Sequence, residues 1–254
     1  RRADQDNFLR GLFFRFEAWR LRTLEKKIVQ RYDGVVVVSD ADAKALGGGN
    51  NIHVVPNGVD ATRFKFDPTG RKPESIVFSG NMSYFPNVDA AEWFASKVLP
   101  KILEKRPNAE FVVAGANPHP RLRRLAEANP SVILTGFVPR MEDTLSAMTV
   151  AVAPMRSGTG IQNKVIEAMA SGLPVVASTF ALGGLQARDG QEIVVAQSEE
   201  MFASTVIDLL ESPIRRNEIA KLARMYVERV HSWGEATRNL EKIYRGCSTT
   251  LEFP

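Results

Sequence analysis

Two charged residues three apart, Lys164 and Glu167, follow a small glycine-rich run, Ser157-Gly158-Thr159-Gly160. If a helix opens at Gly160 or Ile161 and runs to Ser171, Ile161, Val165, Ala168 and Met169 share one face. Asn163, Lys164, Glu167 and Ser171 share the other. The first face can pack on a sheet. The second lets an ammonium and a carboxylate project together, away from the core. The ammonium suits a diphosphate, and the carboxylate suits the two hydroxyls of a ribose. Free N–H groups at a helix start, with the macrodipole behind them, favour a phosphate or a sugar oxygen. Gly158 and Gly160 let such a ligand approach the backbone closely. A ligand-free reading stays open beside this one. Lys164 and Glu167 are also spaced for an i,i+3 surface ion pair worth roughly a few tenths of a kcal/mol, and Thr159 with Gln162 fits a capping box.

These residues need elements to hold them. Strand candidates are Ser75–Ser79, Phe111–Ala114, Val132–Thr135, Val150–Ala153, Pro174–Ala177 and Ile193–Val195. Between them lie helix candidates at Val88–Lys105, Pro120–Ala128, Met141–Met148, Ile161–Ser171 and Ala181–Ala187, followed by Glu199–Leu210 and Ile214–His231. Strands alternating with helices predict parallel βαβ units and an α/β, doubly wound Rossmann-like sheet. Ligands on such sheets bind at the carboxyl ends of strands. The loops to inspect therefore follow Ser79, Ala114, Thr135 and Ala153. The first of them reads Gly80-Asn81-Met82-Ser83-Tyr84-Phe85-Pro86-Asn87. Neither G-x-G-x-x-G nor G-x-x-x-x-G-K-[ST] occurs, so dinucleotide and P-loop readings lack support.

Upstream, Asp6 to Gln30 reads as one long helix and Val35-Val36-Val37-Val38 as a strand buried on both faces. Ser39 and Asp40 can cap a short helix. Ile52–Val55 is a further strand, and Pro56-Asn57-Gly58 suggests a sharp turn. Ser232-Trp233-Gly234-Glu235 has a capping-box pattern and starts a final helix ending near Tyr244.

The 254 residues are 44% hydrophobic and 24% charged, ordinary for a soluble protein. No run of about 18 apolar residues suggests a membrane span, and the opening residues do not read as a signal peptide. One cysteine, Cys247, excludes an internal disulfide framework and a cysteine metal cage. The three histidines, His53, His119 and His231, lack metal-ligand spacing, so no metal is expected. A reducing cytoplasm is the natural setting. Of the net charge of +4, residues 1–31 carry nine Lys/Arg against four Asp/Glu. Phe13, Phe14, Phe16 and Trp19 lie there amid Arg10, Arg15, Arg20 and Arg22. This pattern admits a non-catalytic basic module acting on a membrane or nucleic-acid surface. It equally admits an interdomain helix packed on a sheet.

The order of these pieces resembles glycosyltransferase family 4, the retaining GT-B enzymes that use nucleotide sugars. The segments that carry the likeness are Val35–Asp40 (VVVVSD), Val54–Asp60 (VVPNGVD), Val77–Gly80 (VFSG), Val112–Gly115 (VVAG), Thr135–Val138 (TGFV), Glu167–Ala177 (EAMASGLPVVA) and Ser232-Trp233. EAMASGLPVV is the specific part. The run Gly160-Ile161-Gln162-Asn163-Lys164 is similar to a subgroup tied to bacterial exopolysaccharide clusters.

The resemblance implies a ribose contact for Glu167 and a base-proximal turn at Phe137 and Val138. It also implies a donor site drawn from Gly80, Asn81, Gly158, Thr159, Gly160, Ile161, Gln162, Asn163 and Lys164. Two positions depart from the family. Thr159 stands where a second glutamate is usual, and Gly80–Asn87 lacks the usual arginine and lysine, a charge that Lys164 can supply. Residues 1–56 resemble the tail of an acceptor domain and its linker, 57–231 the donor domain, and 232–254 a helix returning toward the first domain. The implied function is transfer of a sugar from a UDP- or GDP-sugar to a glycan or lipid-linked acceptor. It implies no cofactor, no metal and no nucleic acid, and a site in the cytoplasm or peripheral on the inner membrane face. With most of an acceptor domain missing, these residues alone are expected to bind nucleotide without transferring sugar. A nucleotide-sugar epimerase of GT-B fold is the alternative enzyme.

Overall fold

A thirty-residue helix, α1 (Arg2–Arg31), opens the protein, whose computed structural model describes residues 2–158 and 160–248. The chain forms two compact units: one takes residues up to Val55 with those from Thr237 onward, the other Pro56–Ala236. In the first unit, β1 (Val35–Val37), α2 (Asp40–Ala45) and β2 (Ile52–Val54) follow α1. Ser39 caps α2, its Oγ accepting from the Asp42 amide. The large apolar side chains of α1 from Leu12 to Ile28 are all exposed. β1 pairs only with β2, in parallel. Sequence predicts a strand buried on both faces, yet Val36 is exposed, because a two-stranded ribbon has no second layer over that face. Among the described residues no helix is long and apolar enough to cross a membrane.

The second unit does not begin with the sharp turn suggested at Pro56-Asn57-Gly58. That segment instead lays Val59 beside Ser232, with the Val59 amide donating to the His231 carbonyl at 2.7 Å. The strands are β3 (Ser75–Ser79), β4 (Glu110–Ala114), β5 (Val132–Gly136), β6 (Val150–Ala153), β7 (Val175–Ala177) and β8 (Val194–Val195). They form one parallel sheet in the order β5-β4-β3-β6-β7-β8. Helices alternate with them: α3 (Phe85–Trp93), which passes through a π-helical turn (Phe94–Val98) into α4 (Leu99–Leu103), α5 (Pro120–Ala128), α6 (Met141–Ser146), α7 (Asn163–Ala170) and α8 (Thr179–Leu182). Then come α9 (Glu199–Glu211), α10 (Pro213–Val230) and α11 (Trp233–Ser248). This is the α/β, doubly wound, parallel architecture that the alternation predicts.

β3, β6 and β7 are buried along their whole length, as all-apolar strands covered on both faces must be. Phe94 stacks on Phe111 with centroids 4.5 Å apart and meets Phe202 edge-on, locking the α3–α4 and α9 side of the sheet. The strand order reverses between β3 and β6, so their carboxyl-end loops diverge and leave a crevice between them.

Gly115, after β4, shapes the neighbouring loop. Its φ is +150°, and a Cβ there would sit 1.8 Å from the Gly80 carbonyl oxygen. Gly115→Ala is expected to cost roughly 2–4 kcal/mol, since the neighbour is backbone and cannot swing aside. Urea unfolding measures this, and a loss below about 0.5 kcal/mol would show that the two loops are not held in contact.

Candidate functional site

The crevice collects the carboxyl ends of β3, β4 and β6. Gly80 leaves β3, and the Asn81 side chain closes a local turn by accepting from the amide and hydroxyl of Ser83. Asn87, in the first turn of α3, is buried and donates to the Asn81 carbonyl at 2.9 Å. Its other amide atom, Oδ1, accepts a hydrogen bond from Lys164 Nζ. A side chain from α7 thus crosses the switch point and docks on the loop after β3. A Cβ on Gly80 would lie 3.3 Å from that same Nζ.

Lys164 does not project away from the core as helical spacing alone predicts. Its Nζ stands 4.3 Å over the Phe78 ring and 3.7 Å from Met155 Sδ. Burial therefore pulls its pKa down from 10.5 to about 7, with Glu167 opposing the shift. Glu167, one turn on, moves the other way. Burial raises its pKa, while Arg63 and Lys164 restrain the rise. Among the described residues the Glu167 carboxylate has no hydrogen-bond or ion-pair partner, and the surface ion pair with Lys164 is not formed. Ser171 also departs from the predicted outward face. It is fully buried, its Oγ and its amide both donating to the Glu167 carbonyl at 3.0 Å.

α7 begins at Asn163, later than Gly160 or Ile161. Gln162 is its N-cap and makes no side-chain cap bond, so the Thr159–Gln162 capping box is not the cap of this helix. Gly158 and Gly160 take φ of +127° and +73°, which keeps the backbone out of the helical region until Gln162. Thr159 lies outside the described residues. Ile161 packs partly against the core, Gln162 Nε2 approaches the Gly160 carbonyl at 3.4 Å, and Asn163 Oδ1 accepts from Asn57 Nδ2 at 3.0 Å.

Phe137 and Val138 sit past β5, at the sheet edge. Nearer the switch point, Gly80 touches Gly115, and the Gly115 amide donates to Thr135 Oγ1 at 3.2 Å. Phe137 is 76% exposed.

Sequence reasoning missed several participants. Asn87 is the main one, and its signal was a polar residue set between Pro86 and Val88 where a helix opens. Arg63 donates to Glu142 at 2.9 Å, and this bond holds the Glu142 carboxyl down at about 2 while the Arg63 charge also acts on Glu167. Arg156, from the loop after β6, pairs with Asp89 of α3 at 3.5 Å. No short-range pattern joins residues so far apart in sequence. Among the described residues no cluster of His, Cys, Asp and Glu is placed to hold a metal ion.

Comparison with known proteins places this geometry in a family. Residues 73–212 match the model for glycosyl transferases group 1. The chain belongs to the group 1 glycosyl transferases. This group 1 glycosyl transferase is 29% identical over 223 residues to a GDP-mannose-dependent monoacylated alpha-(1-6)-phosphatidylinositol monomannoside mannosyltransferase of Corynebacterium glutamicum. That match covers 77% of this chain and 57% of the relative, so the chain spans under two thirds of the curated relative's length. Sucrose-phosphate synthase from Thermosynechococcus elongatus superposes with a TM-score of 0.75 at 20% identity, over 91% of this chain and 62% of that one. S. aureus TarM, as a point mutant in complex with Fondaparinux, alpha-GlcNAc-glycerol and UDP, gives a TM-score of 0.74 at 17% identity, over 86% and 45%. At these identities the two structures share the fold with this group 1 glycosyl transferase, a GT-B-type Rossmann-like domain.

Proposed function

We propose that this chain is the donor-binding portion of a retaining family 4 glycosyltransferase. Its substrate is a UDP- or GDP-sugar and its acceptor a glycan or lipid-linked sugar, in bacterial polysaccharide assembly on the inner membrane face. The observation that carries the reading is Lys164. A largely buried ammonium spans the switch point to reach Asn87 and Gly80, near a carboxylate, Glu167, that no described residue pairs or hydrogen-bonds with. A ligand that brings both a diphosphate and a diol answers both groups. The TarM structure holds UDP and the Corynebacterium relative uses GDP-mannose, which supports a nucleotide-linked sugar here.

In this reading Lys164 and the backbone N–H of Asn81 take the diphosphate, and Gly80, whose own N–H is held by the Ala114 carbonyl, lets it approach the turn closely. Glu167 accepts the two ribose hydroxyls, and Phe137 and Val138 flank the base. Gly158, Thr159, Gly160, Ile161, Gln162 and Asn163 surround the sugar. Catalysis is stabilisation of the departing nucleoside diphosphate by charge placed in advance; Lys164 and Glu167 assist through the donor, with no metal or cofactor. Transfer requires the further chain that the longer relatives carry, and these 254 residues hold nucleotide without turnover.

Thermal unfolding with UDP and with GDP tests this. A ligand at about 100 times its Kd adds about 2.7 kcal/mol to the native state, so one of the two should raise the Tm by several degrees. No rise with either would overturn the reading.

A further inference from the structure

The amino-terminal end of the same sheet holds a polar cavity of about 560 Å³. Its wall includes Arg71 and Lys72 ahead of β3, Glu74, Arg106 after α4, Glu110 at the start of β4, and Arg216 of α10. Both carboxylates have an ion-pair partner, with Glu74 engaged through Oε1 while its buried Oε2 accepts no hydrogen bond from the described residues. Glu110 pairs with Lys72, and Glu74 with Arg106, which also reaches Glu211 at 3.8 Å. Among the described residues, Arg71 and Arg216 are left without an ion pair. Arg71 Nε donates to the Asp67 backbone carbonyl at 3.4 Å, while the Asp67 carboxylate acts on Arg71 only at a distance, its Oδ1 accepting from the amide and hydroxyl of Thr69.

Each guanidinium has a structural role on one edge. Arg71 Nη2 donates to the carbonyls of Ser171 at 3.2 Å and Gly172 at 2.7 Å, just past α7. Arg216 Nη1 donates to those of Leu209 at 2.8 Å and Leu210 at 2.9 Å in α9. Helix capping accounts for those bonds. It does not account for two partly buried cations lining one cavity, close enough that burial and the Arg216 charge both lower the pKa of Arg71. Arg71 Nη1 and Arg216 Nε and Nη2 make no hydrogen bond to a described residue. Arg216 also stands in the opening turns of α10, where the helix macrodipole is positive. The free Nε and Nη2 edge of Arg216 is a planar fork that matches phosphate oxygens two at a time, and Arg71 Nη1 adds a further charged donor beside it.

We propose that Arg71 and Arg216 form an anion site for a phosphoryl or diphosphoryl group, at the opposite end of the sheet from the Lys164 crevice. The site is independent of the donor reading. Calorimetric titration of the chain with inorganic pyrophosphate tests it. Wild type and Lys164→Ala should both bind saturably. Arg216→Gln and Arg71→Gln should each weaken binding about tenfold or more, the value of a charge-assisted hydrogen bond to phosphate. Arg71→Lys keeps the charge near α7, and so the fold, but loses the Nη1 donor left over once Nε and Nη2 are bound to carbonyls, and should also bind more weakly. Phosphatidylglycerol vesicles that displace pyrophosphate would assign the phosphoryl group to a lipid headgroup; undisturbed binding would assign it to a soluble ligand. The proposal is overturned by no saturable binding to the wild type. It is equally overturned by binding that disappears in Lys164→Ala yet survives Arg216→Gln and Arg71→Lys.

Discussion

Lys164→Met is expected to make the protein more stable at about pH 6 while removing its hold on a nucleotide diphosphate, because it trades a buried charge for an apolar chain of similar length. In the native protein Nζ rests against Phe78 and Met155 and its pKa falls from 10.5 to about 7. Below that value the native state must hold an ammonium that water solvates far better in the unfolded chain. At about 1.36 kcal/mol per decade the penalty is at most about 5 kcal/mol. Methionine removes it but leaves Asn87 Oδ1 without its donor, an offset of about 1–3 kcal/mol. A net gain of at most about 2–4 kcal/mol remains.

The sign of the pH dependence follows from the depressed pKa. Between about 7 and 10.5 the unfolded chain carries a proton that the native state has released, so wild-type stability rises with pH in that window. The advantage of Lys164→Met should therefore shrink by about 2–3 kcal/mol from about pH 6 to about pH 9. Urea unfolding of both proteins at the two pH values reads this directly. A variant that is less stable at about pH 6, with a gap that does not move with pH, would make Lys164 a structural residue and not a cation held ready for a ligand.

The sheet was legible because its strands announce themselves. Ser75–Ser79 and Val150–Ala153 are short apolar runs between turn residues, and they occupy those positions in the structure. α5 was legible from Pro120 to Ala128 for the same local reasons. What sequence could not supply was the side-chain path across the switch point. Helical spacing put Lys164 outside with Glu167 and Ser171. The long lysine stem instead crosses to Asn87, 77 positions away in sequence, and Ser171 is buried with its hydroxyl turned back to the Glu167 carbonyl. The start of α7 was misplaced because positive-φ glycines at 158 and 160 delay it, and a glycine's φ is not written in its neighbours. β1 looked like a core strand because four valines in a row report apolarity and say nothing of how many layers cover them.

The second large effect concerns Glu167. Glu167→Ala should weaken UDP or GDP binding by about 10- to 100-fold, the value of one to two charge-assisted hydrogen bonds from ribose hydroxyls. The group is suited to accept them. It is partly buried, its pKa is raised by that burial, and no described residue answers it. A loss of affinity alone would leave open a general disturbance of the crevice, since Glu167 also acts electrostatically on Lys164. A cycle with the ligand removes that ambiguity. Deleting the 2′-hydroxyl from the nucleotide should weaken binding to the wild type and should matter little to Glu167→Ala, because the acceptor is already gone.

Calorimetric titration of wild type and Glu167→Ala with UDP, GDP and their 2′-deoxy counterparts therefore tests the nucleotide grip most directly. The prediction is saturable binding of at least one ribonucleotide, with a coupling of about 1–3 kcal/mol between Glu167 and the 2′-hydroxyl. Equal losses from the deoxy substitution in both proteins, or nucleotide affinity untouched by Glu167→Ala, would contradict it.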